Sequence, residues 1–264
     1  MMRYKTFCYS PTGNTKKIAD AMVDTWAKLA GTEAEKISFT LPEERKRTYA
    51  FDEDDLVVVG VPTYAGRVPN LLVKFLKTVE GNGARAVALV TFGNRAFDDS
   101  LVELGDLLAE CGFRVIGGAA AIGEHSFSRA LAAGRPDAND LEEARTFARE
   151  IYEHPDRTVE LPGNRPYRPY YRPMGHDGKP ALISKVVPVF DRDICTDCKL
   201  CAEICPMGAI DHDEIGKMVG ICVKCCACER RCPVGAIGFD DPVYLKHRRE
   251  LVEDYPDHKA NTWV

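Results

Sequence analysis

Eight of the eleven cysteines in this 264-residue chain sit in one stretch near its end, and they repeat a single spacing. Cys195, Cys198, Cys201 and Cys205 are followed by Pro206, and Cys222, Cys225, Cys228 and Cys232 by Pro233. Each half reads C-x₂-C-x₂-C-x₃-C-P, a run that ligates [4Fe–4S] cubanes, with the fourth cysteine serving the other cluster of a pair. By that crossed rule one cubane takes Cys195, Cys198, Cys201 and Cys232. The other takes Cys222, Cys225, Cys228 and Cys205. The two-residue gaps let a tight loop aim three sulfurs inward. Zinc is the rival, since soft thiolates suit both metals. A zinc site closes with four ligands, however, and has no use for a doubled run with exchanged fourth ligands.

The halves also repeat outside the cysteines. Pro206-Met207-Gly208-Ala209-Ile210 answers Pro233-Val234-Gly235-Ala236-Ile237, and Ile194 answers Ile221. This is an internal duplication of one cysteine loop with a following turn and strand. Residues 186–241 resemble the ferredoxins with two [4Fe–4S] clusters, a small α+β fold, and the resemblance implies both clusters. Apolar neighbours would cover them and help set their potentials. Cys226 lies inside the second loop but off the ligand spacing, as a bystander thiol.

A second kind of chemistry is written near the start. A strand, Arg3 to Tyr9, runs into Ser10-Pro11-Thr12-Gly13-Asn14-Thr15, and a helix follows with Ile18, Met22, Trp26 and Leu29 on one face. Strand, hydroxyl-rich loop and helix N-terminus together make an anion site, because free N–H groups and the positive end of the helix dipole meet the ligand. Gly13 lets the backbone approach closely, and Ser10, Thr12 and Thr15 offer hydroxyls. The loop has the spacing of neither a nucleoside-triphosphate loop nor a dinucleotide fingerprint. Lys16 and Lys17 read as solvated. Taken alone, the segment is also an ordinary Ser/Thr helix start.

Two further loops follow in order. Leu56-Val57-Val58-Val59-Gly60-Val61 is a continuous apolar run, as in a strand buried on both faces, and it delivers Pro62-Thr63-Tyr64-Ala65-Gly66. The strand Ala86–Thr91 delivers Thr91-Phe92-Gly93-Asn94-Arg95-Ala96-Phe97-Asp98. Helices with inward Leu71, Leu72, Phe75, Leu76 and Val79, and with Leu101, Leu104, Leu107, Leu108 and Cys111, come after them. A fifth strand, Arg114 to Ile122, ends at Gly123-Glu124-His125, and a last helix spans Asp137 to Tyr152.

Residues 1–153 are similar to the short-chain flavodoxins, on the [ST]-x-T-G-x-T pattern of the first loop and the two loops after it. The resemblance implies a doubly wound α/β domain, five parallel strands ordered 2-1-3-4-5, with ligand bound where strands 1 and 3 flank the switch point. It also implies FMN. Ser10, Thr12, Gly13, Asn14 and Thr15 would hold the phosphate. Pro62, Thr63, Tyr64, Ala65 and Gly66 would lie along the ring, with Tyr64 stacked on it and the Ala65–Gly66 peptide near its reactive edge. Thr91, Phe92, Gly93 and Asn94 would meet the far edge, and Phe97 would be a second stacking aromatic. Asp98 or Asp99 would cap the next helix. Arg95 is open between cofactor contact and docking charge, and His125 stands at the functional rim without an assigned role.

The remaining segments read as a Pro-, Tyr- and Arg-rich linker, residues 154–185, and a C-terminal helix and tail, residues 242–264. Proline at this density excludes helix and favours extended chain, here lying along a domain surface. The layout resembles the flavodoxin–ferredoxin fusion proteins of anaerobic bacteria and archaea. This implies a carrier relaying single electrons between clusters, FMN and redox partner proteins. A flavin-dependent reductase of a small substrate is the alternative. A homodimer with crossed halves is expected from the linker's arginines and tyrosines.

Composition sets the outer limits. Net charge is −5, with 35 basic residues spread among 40 acidic ones, so no basic block suits nucleic acid. No apolar run approaches a membrane span. The start, Met-Met-Arg-Tyr-Lys, lacks a signal-peptide core, and metal-pattern cysteines fit a reducing compartment, so a cytoplasmic setting is expected.

Overall fold

The structure, a computed structural model, describes residues 1–264. Five parallel strands form the central sheet: β1 (Arg3–Cys8), β2 (Ala34–Ser38), β3 (Asp55–Pro62), β4 (Arg85–Phe92) and β5 (Arg114–Ile122). Their order is β2-β1-β3-β4-β5, the flavodoxin-like arrangement. Helices α1 (Asn14–Ala30) and α4 (Ala138–Glu153) cover one face, and α2 (Asn70–Leu76) and α3 (Ser100–Glu110) the other. Because both faces are covered, the middles of β3 and β4 are apolar, and Val57, Val58, Val59 and Val87 to Val90 are fully buried. Trp26 anchors the α1–α4 face, wholly buried, with its indole N–H donated to the Ala148 carbonyl at 2.7 Å. Leu29, expected on that face, is 49% exposed at the helix end.

The C-terminal residues are not a tail. After α7 (Pro242–Asp254), the segment β8 (Thr262–Trp263) returns to the sheet as a sixth, antiparallel strand beside β5. Gly118 and Val264 exchange backbone hydrogen bonds at 2.7 and 2.9 Å, and Trp263 lies on Phe147. The small residues of β5 make this closeness possible. A Cβ on Gly118 would stand 2.3 Å from Leu161 of the linker.

The linker is ordered along the α3 side. Asp99 accepts from Asn164 N and from Arg168 N, Nε and Nη2, and Asp106 accepts from Arg165 and from the Tyr167 hydroxyl. Arg67 stands between the rings of Tyr167 and Tyr170. Arg165, Tyr167, Arg168 and Tyr170 of the linker thus bond within the chain. Asp99 does sit at the start of α3, but its side chain makes no capping bond and grips the linker instead.

The cysteine-rich region carries its own small antiparallel pair, β6 (Val189–Phe190) with β7 (Ile237–Gly238), and two short helices, α5 (Leu200–Glu203) and α6 (Ala227–Arg231). The duplication is visible in the backbone. Asp197 and Lys199 of the first loop, and Lys224 and Cys226 of the second, all have positive φ. No helix of the chain is long and apolar enough to cross a membrane.

Candidate functional site

The first loop forms as its residue types require. Gly13 takes a left-handed conformation, φ 93°, at the start of α1, and Lys16 N donates to the Ser10 hydroxyl at 3.0 Å. The amides of Thr12, Asn14 and Thr15 meet no backbone acceptor, and the first turn of α1 carries no acid. Thr15 and Thr91 share a hydroxyl hydrogen bond of 2.7 Å, which ties β1's loop to β4's. Three free amides and the Thr12 hydroxyl at a 17-residue helix's positive end are a donor set for a dianionic phosphate.

These loops enclose a cavity of about 80 Å³. Ser10, Thr12, Asn14, Thr15, Pro62, Thr63, Tyr64, Thr91, Phe92 and Gly93 line it, together with Gly123 to Ser126 from the end of β5. A second cavity of about 230 Å³ shares Thr63, Tyr64, His125 and Ser126 with the first and adds Ala65 and Arg95. Joined at these four residues, the two make one cleft that runs from the phosphate-type loop past Tyr64, with polar and apolar residues along it. Tyr64 to Arg67 form a tight turn closed by mutual backbone bonds of 3.0 and 3.1 Å, with φ of 51° at Ala65 and 78° at Gly66. Burial pushes the Tyr64 phenol well up, and Tyr9 and Cys225 are among its neighbours.

Four expected contacts lie elsewhere. Asn94 turns its amide to the carbonyls of Tyr255 and Asp257, both at 2.8 Å, and so holds the C-terminal segment. Phe97 packs edge-on against Phe92, with ring centres 5.4 Å apart, outside the cleft. Gly66 lies against Asp98 and accepts from Asp99 N. Gly13 shapes the turn behind the cleft wall. Arg95 pairs with Asp98 and stacks on Tyr171, 4.1 Å from its ring centre.

The largest addition comes from outside the first domain. Cys225 lines the first cavity, and Val223 and Lys224 line the second, so the second cysteine loop is a wall of the cleft. Tyr171, Pro173 and Ile183 of the linker and His247 and Leu251 of α7 complete the roof. Arg230, between Cys228 and Cys232, pairs with Glu124 and donates to the carbonyls of His125, Ser126 and Ser128. Arg45 reaches across to the Pro206 carbonyl. Local patterns in the chain could not show these contacts, although Gly123-Glu124-His125 at a strand's carboxyl end was a visible marker.

The cysteines gather as the crossed rule requires for one set. Cys205, Cys222, Cys225 and Cys228 line one cavity of about 20 Å³, walled by Met207, Ile210, Met218, Val223 and Phe239. Cys195, Cys201 and Cys232 border a second apolar cluster around Ile215 and Ile237, which Cys205 and Cys228 also border, and Cys198 is exposed. Burial raises the Cys201 thiol, and Cys195 and Cys198 add to the shift. In both halves an amide four residues on donates to the fourth sulfur: Ala209 N to Cys205 Sγ and Ala236 N to Cys232 Sγ, each 3.2 Å. Soft donors in an apolar enclosure with N–H···S bonds suit iron–sulfur clusters. Cys226 faces away towards the Lys224 carbonyl and the Tyr244 hydroxyl, while also edging the cavity.

Residues 187–210 match the family model of a 4Fe-4S binding domain. No curated protein matches the chain. Similar solved structures include a flavodoxin from the domain Archaea, 18% identical, covering 58% of this chain and 97% of its own with a TM-score of 0.39. The apo form of an NADH:FMN oxidoreductase, EmoB, is 18% identical over 61% of this chain and 92% of its own, with a TM-score of 0.44. Oxidised Flavodoxin 2 from Bacillus cereus is 17% identical over 58% and 99%, with a TM-score of 0.42. The strand order itself makes the first unit flavodoxin-like. It is joined to a region that matches a 4Fe-4S binding domain.

Proposed function

We propose that the chain is an electron-transfer protein holding one FMN and two [4Fe–4S] clusters, with the second cluster beside the flavin of the same chain. Bound FMN exchanges electrons singly or in pairs, and each cubane singly. One observation carries this reading: Cys225 shares a cavity wall with the phosphate-type loop. Thr12, Asn14 and Thr15 hold the phosphate, Tyr64 and Ala65 flank the ring, and the two crossed cysteine sets hold the clusters. The exposed Cys198 loop is the side open to redox partner proteins. Protein purified without oxygen carries about eight irons and one FMN per chain. Four irons, tightly held zinc, or FAD in place of FMN each overturn the reading.

The roof over the cleft favours a second reading. Tyr171, Pro173, Ile183, His247 and Leu251 stand where a free flavodoxin would leave its cofactor edge open, which suits a small substrate better than a docked protein. Anaerobic turnover of a small acceptor by the cluster-reduced protein alone distinguishes the reductase from the carrier.

A further inference from the structure

His125 is held unusually well for a loop histidine. Its ring lies directly on Gly93, where a Cβ would come 2.4 Å from its Cδ2, and edge-on to Phe127, with centres 5.2 Å apart. Phe127 N–H donates to Nδ1 at 3.1 Å, so Nδ1 carries the lone pair and the proton of the neutral ring sits on Nε2. No protein acceptor meets Nε2. The residue lines both cavities of the cleft, the space a cofactor would fill.

The surroundings keep the ring neutral. Desolvation lowers its pKa to about 4, helped by His247, Arg230 and Arg95. Lys224 of the second cysteine loop also lines the larger cavity. The adjacent acid, Glu124, is occupied by Arg230 and by Gly134 N–H. A neutral imidazole here is a donor of fixed direction, not a titrating group.

The loop's position is set from the other domain. Arg230 lies on α6 between Cys228 and Cys232, and it holds four acceptors of one loop: the Glu124 carboxylate and the carbonyls of His125, Ser126 and Ser128. A charged group with that many acceptors in one fork fixes geometry more than a single ion pair would.

We propose that His125 Nε2–H is a hydrogen-bond donor to the flavin and that Arg230 is its positioning residue, which makes the cysteine-bearing module part of the flavin site. This rests on the reading of the cleft as an FMN site. It predicts that a change confined to α6 alters flavin properties while both cysteine sets stay intact.

The test uses the full holoprotein and three readouts: FMN dissociation constant, flavin midpoint potential and iron content. His125→Leu raises the dissociation constant about threefold to tenfold, the range of one net hydrogen bond, and moves the flavin potential. His125→Gln, which keeps an N–H donor, recovers part of both. Arg230→Met moves the potential in the same sense with iron content unchanged, and Arg230→Lys restores part of it. Should His125→Leu prove unstable, Gly93→Ala displaces the same ring and is expected to move the potential likewise. Flavin properties that stay at wild-type values in His125→Leu, or in Gly93→Ala as its substitute, overturn the donor role. An unmoved potential in Arg230→Met overturns the positioning role. A wild-type protein without flavin overturns the cleft reading, and the proposal with it, which is a separate and visible result.

Discussion

Replacing Asp99 by alanine should release the linker from the sheet. The carboxylate is wholly buried, and it accepts from Asn164 N at 3.0 Å, Asn164 Nδ2 at 2.9 Å and Arg168 N at 2.6 Å, as well as from the Arg168 guanidinium. Arg168 is 55% exposed, so its charge is screened and contributes at most about 1 kcal/mol. The three bonds from amides to a buried anion contribute more, and the whole comes to about 3–5 kcal/mol. At about 1.4 kcal/mol per tenfold, hydrogen exchange or proteolysis between Arg157 and Pro180 should accelerate about a hundredfold to several thousandfold. The Arg168 guanidinium holds the Asp99 carboxyl well below the usual range. A depressed carboxyl contributes stability fully above its unfolded value near 3.9 and loses it as pH falls through the folded value. Wild type and Asp99→Ala should therefore differ at neutral pH and converge in strong acid. Equal linker protection in the two proteins at pH 7 would refute the clamp.

Other outcomes follow from single contacts. Thr12→Val should weaken FMN binding without moving the flavin potentials, because the phosphate loop lies at the far end of the cleft from Ala65 and Arg95; equilibrium binding and spectroelectrochemistry report the two effects. Cys198→Ser should lose one cluster selectively while Cys226→Ser leaves the iron count unchanged, as iron analysis and electron paramagnetic resonance would show. Leu161→Ala should destabilise by about 2–5 kcal/mol in chemical denaturation, since its side chain fills the spaces over Gly105 and Gly118. Deleting residues 262–264 should expose the edge of β5 and loosen the C-terminal segment from Asn94, read as faster amide exchange at Gly118 to Ala120.

The parts of the site that were legible in the sequence are local. A cysteine run carries its ligand count in its spacing, and each cleft loop follows its own strand, so Ser10 to Thr15, Pro62 to Ala65 and Thr91 to Gly93 arrive together once the sheet forms. Apolar strands alternating with amphipathic helices indicated a parallel α/β sheet, and its order was what the flavodoxin resemblance implied. What the sequence did not show depends on partners far along the chain. Asn94 and Phe97 sit in a cofactor-type loop, but the C-terminal segment claims one and Phe92 the other. Asp99 has the type and place of a helix cap, yet its acceptors are taken by residues 65 and 69 positions later. Two residues, Thr262 and Trp263, are too few for a periodic signal, and their pairing is decided by the small side chains of β5. Several of the linker's arginines and tyrosines bond to α3 and the loop before it, contacts that the linker's composition did not specify.

The account stands most directly on whether the second cluster serves the flavin of its own chain. Flavin reduction after rapid reduction of the clusters, followed by stopped-flow absorbance over a hundredfold range of protein concentration, measures this. The account predicts one first-order rate independent of concentration, abolished by Cys225→Ser and unaffected by mixing with cluster-free chains. A rate proportional to protein concentration, or rescue of Cys225→Ser by chains that lack FMN, would contradict it.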